Sequence, residues 1–498
     1  MKFSTFPSPE KRPRSGACVV PFAFDEEKRV VPLFDDPSLL RACHHLLTTK
    51  DFAAKEGEMM ILYPDPVAEE RLIALGLGKL HGVSGEAVRA SYAHLGATLA
   101  KKRVVSLSVI PPSIDALPQK SILSGLLQGL YLGSYLFDEY RSKQDEEGPA
   151  RLKEVAILTE EAALFSEVER EESILMKAVA FSRDLINKNA DQMTPEVFAD
   201  IAHSMATTDL HVTVHGKEWI EKERMELLLA VGRGAAYDPR FVVVQWRGAP
   251  DSHDTTVLVG KGITFDTGGL NIKTETGMVI QKADMSGAAT VLATMAAIRD
   301  LRVRVNVTAV IPLCENSVGP RSYKPGDVYK GRSGKSVEII STDAEGRLIL
   351  ADALDYAVSE LAPSRIIDVA TLTGSAEVAL GSDISALFSN TDSLAFLLER
   401  AAERSGDPVC RLPLYLPYEK LLESPIADCK NVATRIGGAI NAALFLHFFV
   451  KDTPWAHLDV AGPAFLKEPF RYYGKGATGV PVRTLVYFLQ SLVSGELT

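Results

Sequence analysis

Short apolar runs alternate with helix-length segments along nearly all 498 residues, and this alternation limits the fold more than any other feature of the chain. Ala17 to Phe22, Met59 to Tyr63, Val104 to Ile110 and Val155 to Leu158 read as strands, and Glu86 to Lys101 reads as a helix among them. Beyond Gln192 strands are expected at Leu227 to Val231, Phe241 to Gln245, Thr255 to Val259, Val303 to Ile311 and Arg365 to Ala370. Helices are expected at Ser286 to Arg299, Arg347 to Leu361 and Leu394 to Arg404. Strands apolar on both faces and separated by helices predict a mostly parallel sheet with helices packed on each side. The expected class is α/β in two domains: a smaller N-terminal α/β domain over 1–160, and a larger C-terminal α/β domain over 188–498 with a mixed, mostly parallel sheet. The charge-laced segment 161–187, free of Pro and Gly, is expected to be a linker helix.

Sites in sheets of this kind form beyond the carboxyl ends of strands. Val257 to Lys273 runs from a strand into a turn carrying Lys261, Asp266 and Lys273, where Gly268 and Gly269 permit positive φ. In Lys282 to Ala289, Asp284 precedes a small-residue helix start that Ser286 is placed to cap. Ser341-Thr342-Asp343-Ala344-Glu345-Gly346-Arg347-Leu348, entered as a strand, puts Asp343, Glu345 and Arg347 on one face. Four carboxylates brought into one pocket would repel strongly, so either they stay apart or they hold cations. Two divalent ions satisfy that charge, and hard oxygen donors without thiolate suit Mn2+, Mg2+, Co2+ or Zn2+, the first two best on softness. Such a centre activates water to hydrolyse an amide, an ester or a phosphoester. Taken alone, Lys261 reads as a salt-bridging lysine, since it would bind a metal only as a neutral amine. Lys273 reads as a surface lysine or as a donor to a developing oxyanion. Arg347 opens a helix against the dipole and so calls for an anion.

The formal net charge of -10 argues against nucleic acid as a partner. Five scattered cysteines without a C-x-x-C pair fit reduced thiols and a cytoplasmic location. No export signal and no membrane span are expected. Gly76-Leu77-Gly78-Lys79 lacks the spacing of a phosphate loop, and His457 is expected to be a hydrogen-bonded core residue.

The ordered motifs resemble the leucine (cytosol) aminopeptidase family of two-metal exopeptidases. They are Val259 to Lys273, Lys282 to Thr290, Tyr323 to Asp327, Ser341 to Leu354, Ala370 to Gly374, Pro454 to Gly462 and Lys475 to Gly479. The likeness runs from about Asp184 to Leu489, while the first domain resembles the family only in outline. It implies that 188–498 is a dinuclear-metal peptidase domain in which Lys261, Asp266, Asp284, Asp343 and Glu345 hold two divalent ions, Asp266 and Glu345 touching both. Mn2+ or Zn2+ is implied, with Mg2+ and Co2+ as further candidates. Lys273 would be the catalytic lysine facing the scissile carbonyl, and Arg347 would hold a bicarbonate that acts as general base. Substrates would be peptides with a free N-terminus, losing leucine or other first residues. The pocket for that residue would include Gln281, Thr371, Leu372, Gly374, Ala461 and Ala464, with Gln281 standing where many relatives have methionine. The family's homohexamer and cytoplasmic setting are implied as well. A two-metal phosphoesterase leaves most of the motif series unexplained, and a non-enzymatic DNA-binding hexamer is opposed by the acidic balance.

Overall fold

The computed structural model describes residues 1–7, 13–63, 69–142, 148–434 and 436–495. It divides into two compact units, Met1–Met176 with Pro469–Gly474, and Lys177–Glu468 with Lys475–Thr498. The division falls inside the helix Ala162–Asn187.

The first unit is built on strands β1 (Lys2–Phe6), β2 (Ala17–Phe24), β3 (Val30–Pro32), β4 (Met59–Leu62), β5 (Leu72–Lys79), β6 (Ser106–Val109) and β7 (Glu154–Leu158). They form one sheet in the order β1-β7-β6-β2-β5-β4, with β3 paired to β2. Side-chain alternation divides β2 and β5 between two cores. Ala17, Val19, Ile73 and Leu75 meet Val88 and Leu126, from the helices Gly85–Lys101 and Gln119–Gly133. Cys18, Val20, Phe22 and Leu72 meet Leu39 and Leu46 on the other face. Burial on both faces is what removes a polar period from these strands and leaves continuous apolar runs. The Gly76 to Lys79 stretch lies inside β5 and forms no phosphate loop.

The second unit carries β8 (Leu210–His215), β9 (Arg240–Arg247), β10 (Thr255–Gly260), β11 (Gly262–Asp266), β12 (Asn306–Asn316), β13 (Val328–Lys330), β14 (Ser336–Glu338), β15 (Arg365–Ala370), β16 (Ser385–Ser389), β17 (Val409–Arg411), β18 (Cys429–Lys430) and β19 (Trp455–Asp459). The large sheet has the order β17-β16-β19-β15-β10-β12-β9-β8. Its central run β19-β15-β10-β12 is parallel, with β9 and β8 antiparallel at one edge and β16 antiparallel to β19. The sheet is therefore mixed and mostly parallel, as expected. From β10 the chain crosses to β12 on one side and later to β15 on the other, a reversal that opens a crevice at the carboxyl ends. At that point β10 breaks at Lys261, and β11 continues along β12 alone, from Gly262 opposite Leu313 to Asp266 opposite Asn316. The Lys261 backbone stays anchored at the break, its N–H donating to Val369 O at 3.0 Å and its carbonyl accepting from Ala288 N at 2.9 Å.

Three local expectations are corrected. Leu227 to Val231 is part of the helix Glu226–Gly232 and not a strand. Its apolar run is buried all round, so it carries no period by which helix and strand could be told apart. Ser341 to Glu345 turns into the helix Gly346–Leu361 and does not pair as a strand. Ser286 donates its hydroxyl to Ala283 O at 2.5 Å, leaving the next helix without a side-chain cap. His457 is buried as expected, with Nδ1 2.6 Å from Asp368 Oδ1. None of the five cysteines is in a disulfide, and no described helix is long and apolar enough to cross a membrane.

The misread helix depends on a distant residue. Asp352, buried on the helix Gly346–Leu361, accepts from Leu227 N and Leu228 N at 3.0 Å each and from Arg332 N at 2.8 Å. Asp352→Ala strands three buried donors, so the stability of the unit should drop by about 2–4 kcal/mol. Urea unfolding followed by circular dichroism checks this, and an unchanged midpoint would show that the carboxylate is not the anchor.

Candidate metal centre

The break at Lys261 sends its side chain across the crevice. Nζ lies 2.7 Å from Asp284 Oδ1 and 2.9 Å from Glu345 Oε1, and donates to Thr371 O at 2.7 Å. Asp266, the last residue of β11, accepts at Oδ1 from Gly268 N and Asn316 Nδ2, both at 2.8 Å. Its Oδ2 lies 2.8 Å from Lys273 Nζ, which also reaches Asp343 Oδ1 at 2.5 Å. Asp284 Oδ1 further accepts from Thr371 Oγ1 at 2.7 Å. Six of the seven residues predicted to do the chemistry thus meet in one crevice, while Arg347, two residues after Glu345 on the helix Gly346–Leu361, bonds to Asn431 O behind it. Carboxylate oxygens of Asp266, Asp343 and Glu345 lie within 4.8 Å of one another.

Close packing holds the loops that carry these groups. A Cβ at residue 346 would sit 2.5 Å from Lys261 Cε, so glycine there makes room for the lysine. Gly268 has φ +86°, a conformation costly to other residues, and it turns the chain back after Asp266. Thr342 and Asn271 clasp each other: Thr342 N donates to Asn271 Oδ1 and Asn271 N to Thr342 Oγ1, each at 2.8 Å, while Thr342 Oγ1 donates to Gly268 O at 2.6 Å. Tyr323 Oη and Asn316 Nδ2 both donate to Thr342 O. On the other side Asn431 Oδ1 accepts from Ile340 N, Asn431 Nδ2 donates to Ser341 O, and Arg347 Nη1 donates to Asn431 O at 2.7 Å.

Burial and charge pull against each other throughout the cluster. Burial raises Asp266 to about 6, with Glu345 adding to the effect and Lys273 and Lys261 opposing it. Burial likewise raises Asp284 well above the usual carboxylate range in spite of Lys261. Glu345 is also penalised by burial, but Lys261 and Lys273 outweigh it and hold the carboxyl at about 2. Both lysines lose by burial and gain more from the surrounding carboxylates, so both rise. Arg347 is brought down to about 10 by burial, which Glu345 and Asp459 only partly offset. Among the described residues, Asp284 Oδ2, Glu345 Oε2 and Arg347 Nε are buried without a hydrogen-bond partner. Buried polar atoms are seldom left so. Two free carboxylate oxygens fit a cation and a free guanidinium N–H fits an anion, so the residues present suit divalent ions and a small oxyanion.

A cavity of about 280 Å³ opens beside the cluster, lined by the five predicted ligands, by Lys273, and by Gln281, Thr371, Leu372, Gly374, Ala461 and Ala464. Gln281 Nε2 donates to Gly277 O at 2.9 Å. Thr373, Glu377 and Phe465 line the same cavity and were not singled out from sequence. Asp459 was also missed, although it stands in a quoted motif; it accepts from Leu372 N, Thr373 Oγ1 and Ala461 N and so shapes the cavity wall. Asn316 and Asn431 gave no signal, since nothing local marks an asparagine whose partners are distant. A larger cavity of about 720 Å³ lies elsewhere, lined by mixed charges such as Lys217, Glu226 and Asp238, and contains none of these residues.

Residues 180–486 match the model of the cytosol aminopeptidase family, catalytic domain, and residues 33–144 match that of its N-terminal domain. The chain is 42% identical to a probable cytosol aminopeptidase of Protochlamydia amoebophila, over 99% of each chain. It is also 42% identical to one of Chlamydia muridarum, over 97% of this chain and 98% of the other. Among solved structures it is similar to the bottromycin maturation enzyme BotP, with TM-score 0.85, 32% identity, and coverage of 97% of this chain and 100% of that one. The same enzyme in complex with Mn gives TM-score 0.84 and 33% identity, over 96% of this chain and 99% of that one.

The clasp at Thr342 yields a test that is independent of catalysis. Thr342→Val keeps the shape but leaves Gly268 O and Asn271 N unpaired, so stability should fall by about 1–3 kcal/mol. Weaker Mn2+ binding in calorimetry should accompany it, whereas unaltered stability and binding would show that the clasp does not hold the ligand loops.

Proposed function

The chain belongs to the cytosol aminopeptidase family and is a metal-dependent aminopeptidase, and we propose that Lys261, Asp266, Asp284, Asp343 and Glu345 hold its two divalent ions, Lys261 as the neutral amine once the ions take over the charge its proton balances in their absence. The observation that carries this reading is the close set of Asp266, Asp343 and Glu345 oxygens beside the unpartnered Asp284 Oδ2 and Glu345 Oε2. When bound, such ions supply Lewis acidity to a water and to the scissile carbonyl. Lys273 Nζ, held between Asp266 and Asp343, keeps its proton and is placed to donate to the carbonyl oxygen as negative charge develops there. Arg347 Nε offers a donor to a small anion; bicarbonate is our proposal, and held there it would supply a general base. Gln281, Thr371, Leu372, Gly374, Ala461 and Ala464 form the pocket for the first residue, removed as leucine or another amino acid from peptides with a free N-terminus. Mn2+ or Zn2+ is our proposal, with Mg2+ and Co2+ as further candidates; the oxygen-rich donor set suits Mn2+, and the Mn complex of a structural relative supports it. Neither the phosphoesterase nor the DNA-binding alternative is favoured by the family match.

The five cysteines, none of them in a disulfide, support action in the reducing cytoplasm. Exposed Leu416, Ile426 and Ile436 provide apolar surface that assembly into the family's homohexamer would cover. Sedimentation equilibrium should give the mass of six chains, and a monomer at micromolar concentration would contradict the assembly.

Protein stripped of metal by a chelator should be inactive, and Mn2+ should restore cleavage of aminoacyl amides but not of their N-acetylated forms. Lys273→Ala should lower kcat by about 10²–10³ while calorimetric Mn2+ binding persists. No turnover with any of the four metals would overturn the proposal.

A further inference from the structure

One wall of the 280 Å³ cavity carries a carboxylate with no part in the ion cluster. Glu377 lies three residues after Gly374 on the helix Gly374–Leu380, so both lie on one helix face, with Glu377 about one turn further along. Among the described residues the cation paired with it is Lys467, with Nζ 3.8 Å from Oε1, the outer edge of ion pairing. Both side chains are partly open to water, at 37% for Glu377 and 59% for Lys467. A pair that long and that wet contributes little, so a cation brought in by substrate competes with Lys467 on favourable terms.

Two further features bear on what such a cation would be attached to. Gln281 gives one amide N–H to Gly277 O and keeps its carbonyl oxygen, an acceptor that a cationic head group can use, together with its second N–H. Ala461, Ala464 and Gly374 are small and leave depth, and Phe465 lines the same space. Alkyl stems pack on apolar walls with their charged heads kept near water, and the partly exposed Glu377 stands where such a head would lie.

We propose that Glu377 is a specificity-determining residue and that the pocket takes lysine and arginine as first residues, their methylenes against Ala464 and Phe465 and their head group at the Glu377 carboxylate. This inference rests on the reading of the cavity as the first-residue pocket. Its rival is a purely apolar pocket in which Glu377 remains with Lys467 and substrate charge is not sensed.

The test measures kcat/KM of the Mn2+-loaded enzyme on lysyl, arginyl, leucyl and glutamyl amides, for the natural chain and for Glu377→Gln, Glu377→Asp and Glu377→Lys. The natural enzyme should cleave lysyl and arginyl amides at least as well as the leucyl amide, and the glutamyl amide poorly. Glu377→Gln should lower the lysyl-to-leucyl ratio about tenfold, chiefly through KM, as loss of one charge-assisted contact predicts. Glu377→Asp should retain part of the preference, and Glu377→Lys should favour the glutamyl amide over the lysyl one. Raising salt from about 0.05 M to about 0.5 M should shrink the ratio in the natural enzyme and leave it flat in Glu377→Gln. A ratio unchanged within about twofold in both Glu377→Gln and Glu377→Lys, or an equal loss on every substrate, would overturn this inference alone. Failure of the natural enzyme to cleave any amide would overturn the peptidase reading, and this inference with it.

Discussion

Two ammonium groups set among four carboxylates are the interaction on which the catalytic unit is arranged. At about 4 Å and an effective dielectric near 20, one pair of unit charges is worth about 4 kcal/mol, and since two ammonium groups offset only half of the four carboxylates, the rest of the charge falls to protons or bound cations. Lys261 ties Asp284 to Glu345, and Lys273 ties Asp266 to Asp343. Each lysine thus joins loops that are far apart in sequence. The partner change between β10 and β11 is what brings Lys261 to the middle of the crevice, and Gly346 is what lets it pass. Backbone irregularities that look like defects in a sheet are here the means of delivering charge to one point.

The α/β class and the parallel core could be read from the chain because strands buried on both faces keep their apolar character from end to end. Arg365 to Ala370 was expected as a strand and is β15 without change of boundary. Leu227 to Val231 failed for the same reason that the strands succeeded: full burial removes the period that separates a short helix from a strand. The charged residues that meet in the crevice were legible because several carboxylates beside glycines have few structural uses. The strand geometry first used to gather Asp343 and Glu345 was wrong, although they do meet; a turn pinned by Thr342 does the gathering. Asn316, Asn431 and Asp459 stayed hidden because, apart from Ala461 beside Asp459, the partners named for them lie 26 to 91 residues away.

Spacing and charge alone led to a two-ion hydrolase and left amide, ester and phosphoester open, and the ordered motifs then selected the peptidase. The unpartnered oxygens of Asp284 and Glu345 and the unpartnered Arg347 Nε come from neither source. They appear only when the side chains are placed, and they distinguish groups that have finished their bonding within the protein from groups that have not.

The mutual clasp of Thr342 and Asn271 has a dynamic consequence. Each residue gives its backbone N–H to the other's side chain, and Thr342 also closes on Gly268. Neither loop can lift away without breaking the other's bonds, so the two should open as one cooperative unit, with their amides exchanging hydrogen at a common rate. Anything held between Asp266 and Asp343 then stabilises both loops together, and its departure loosens both.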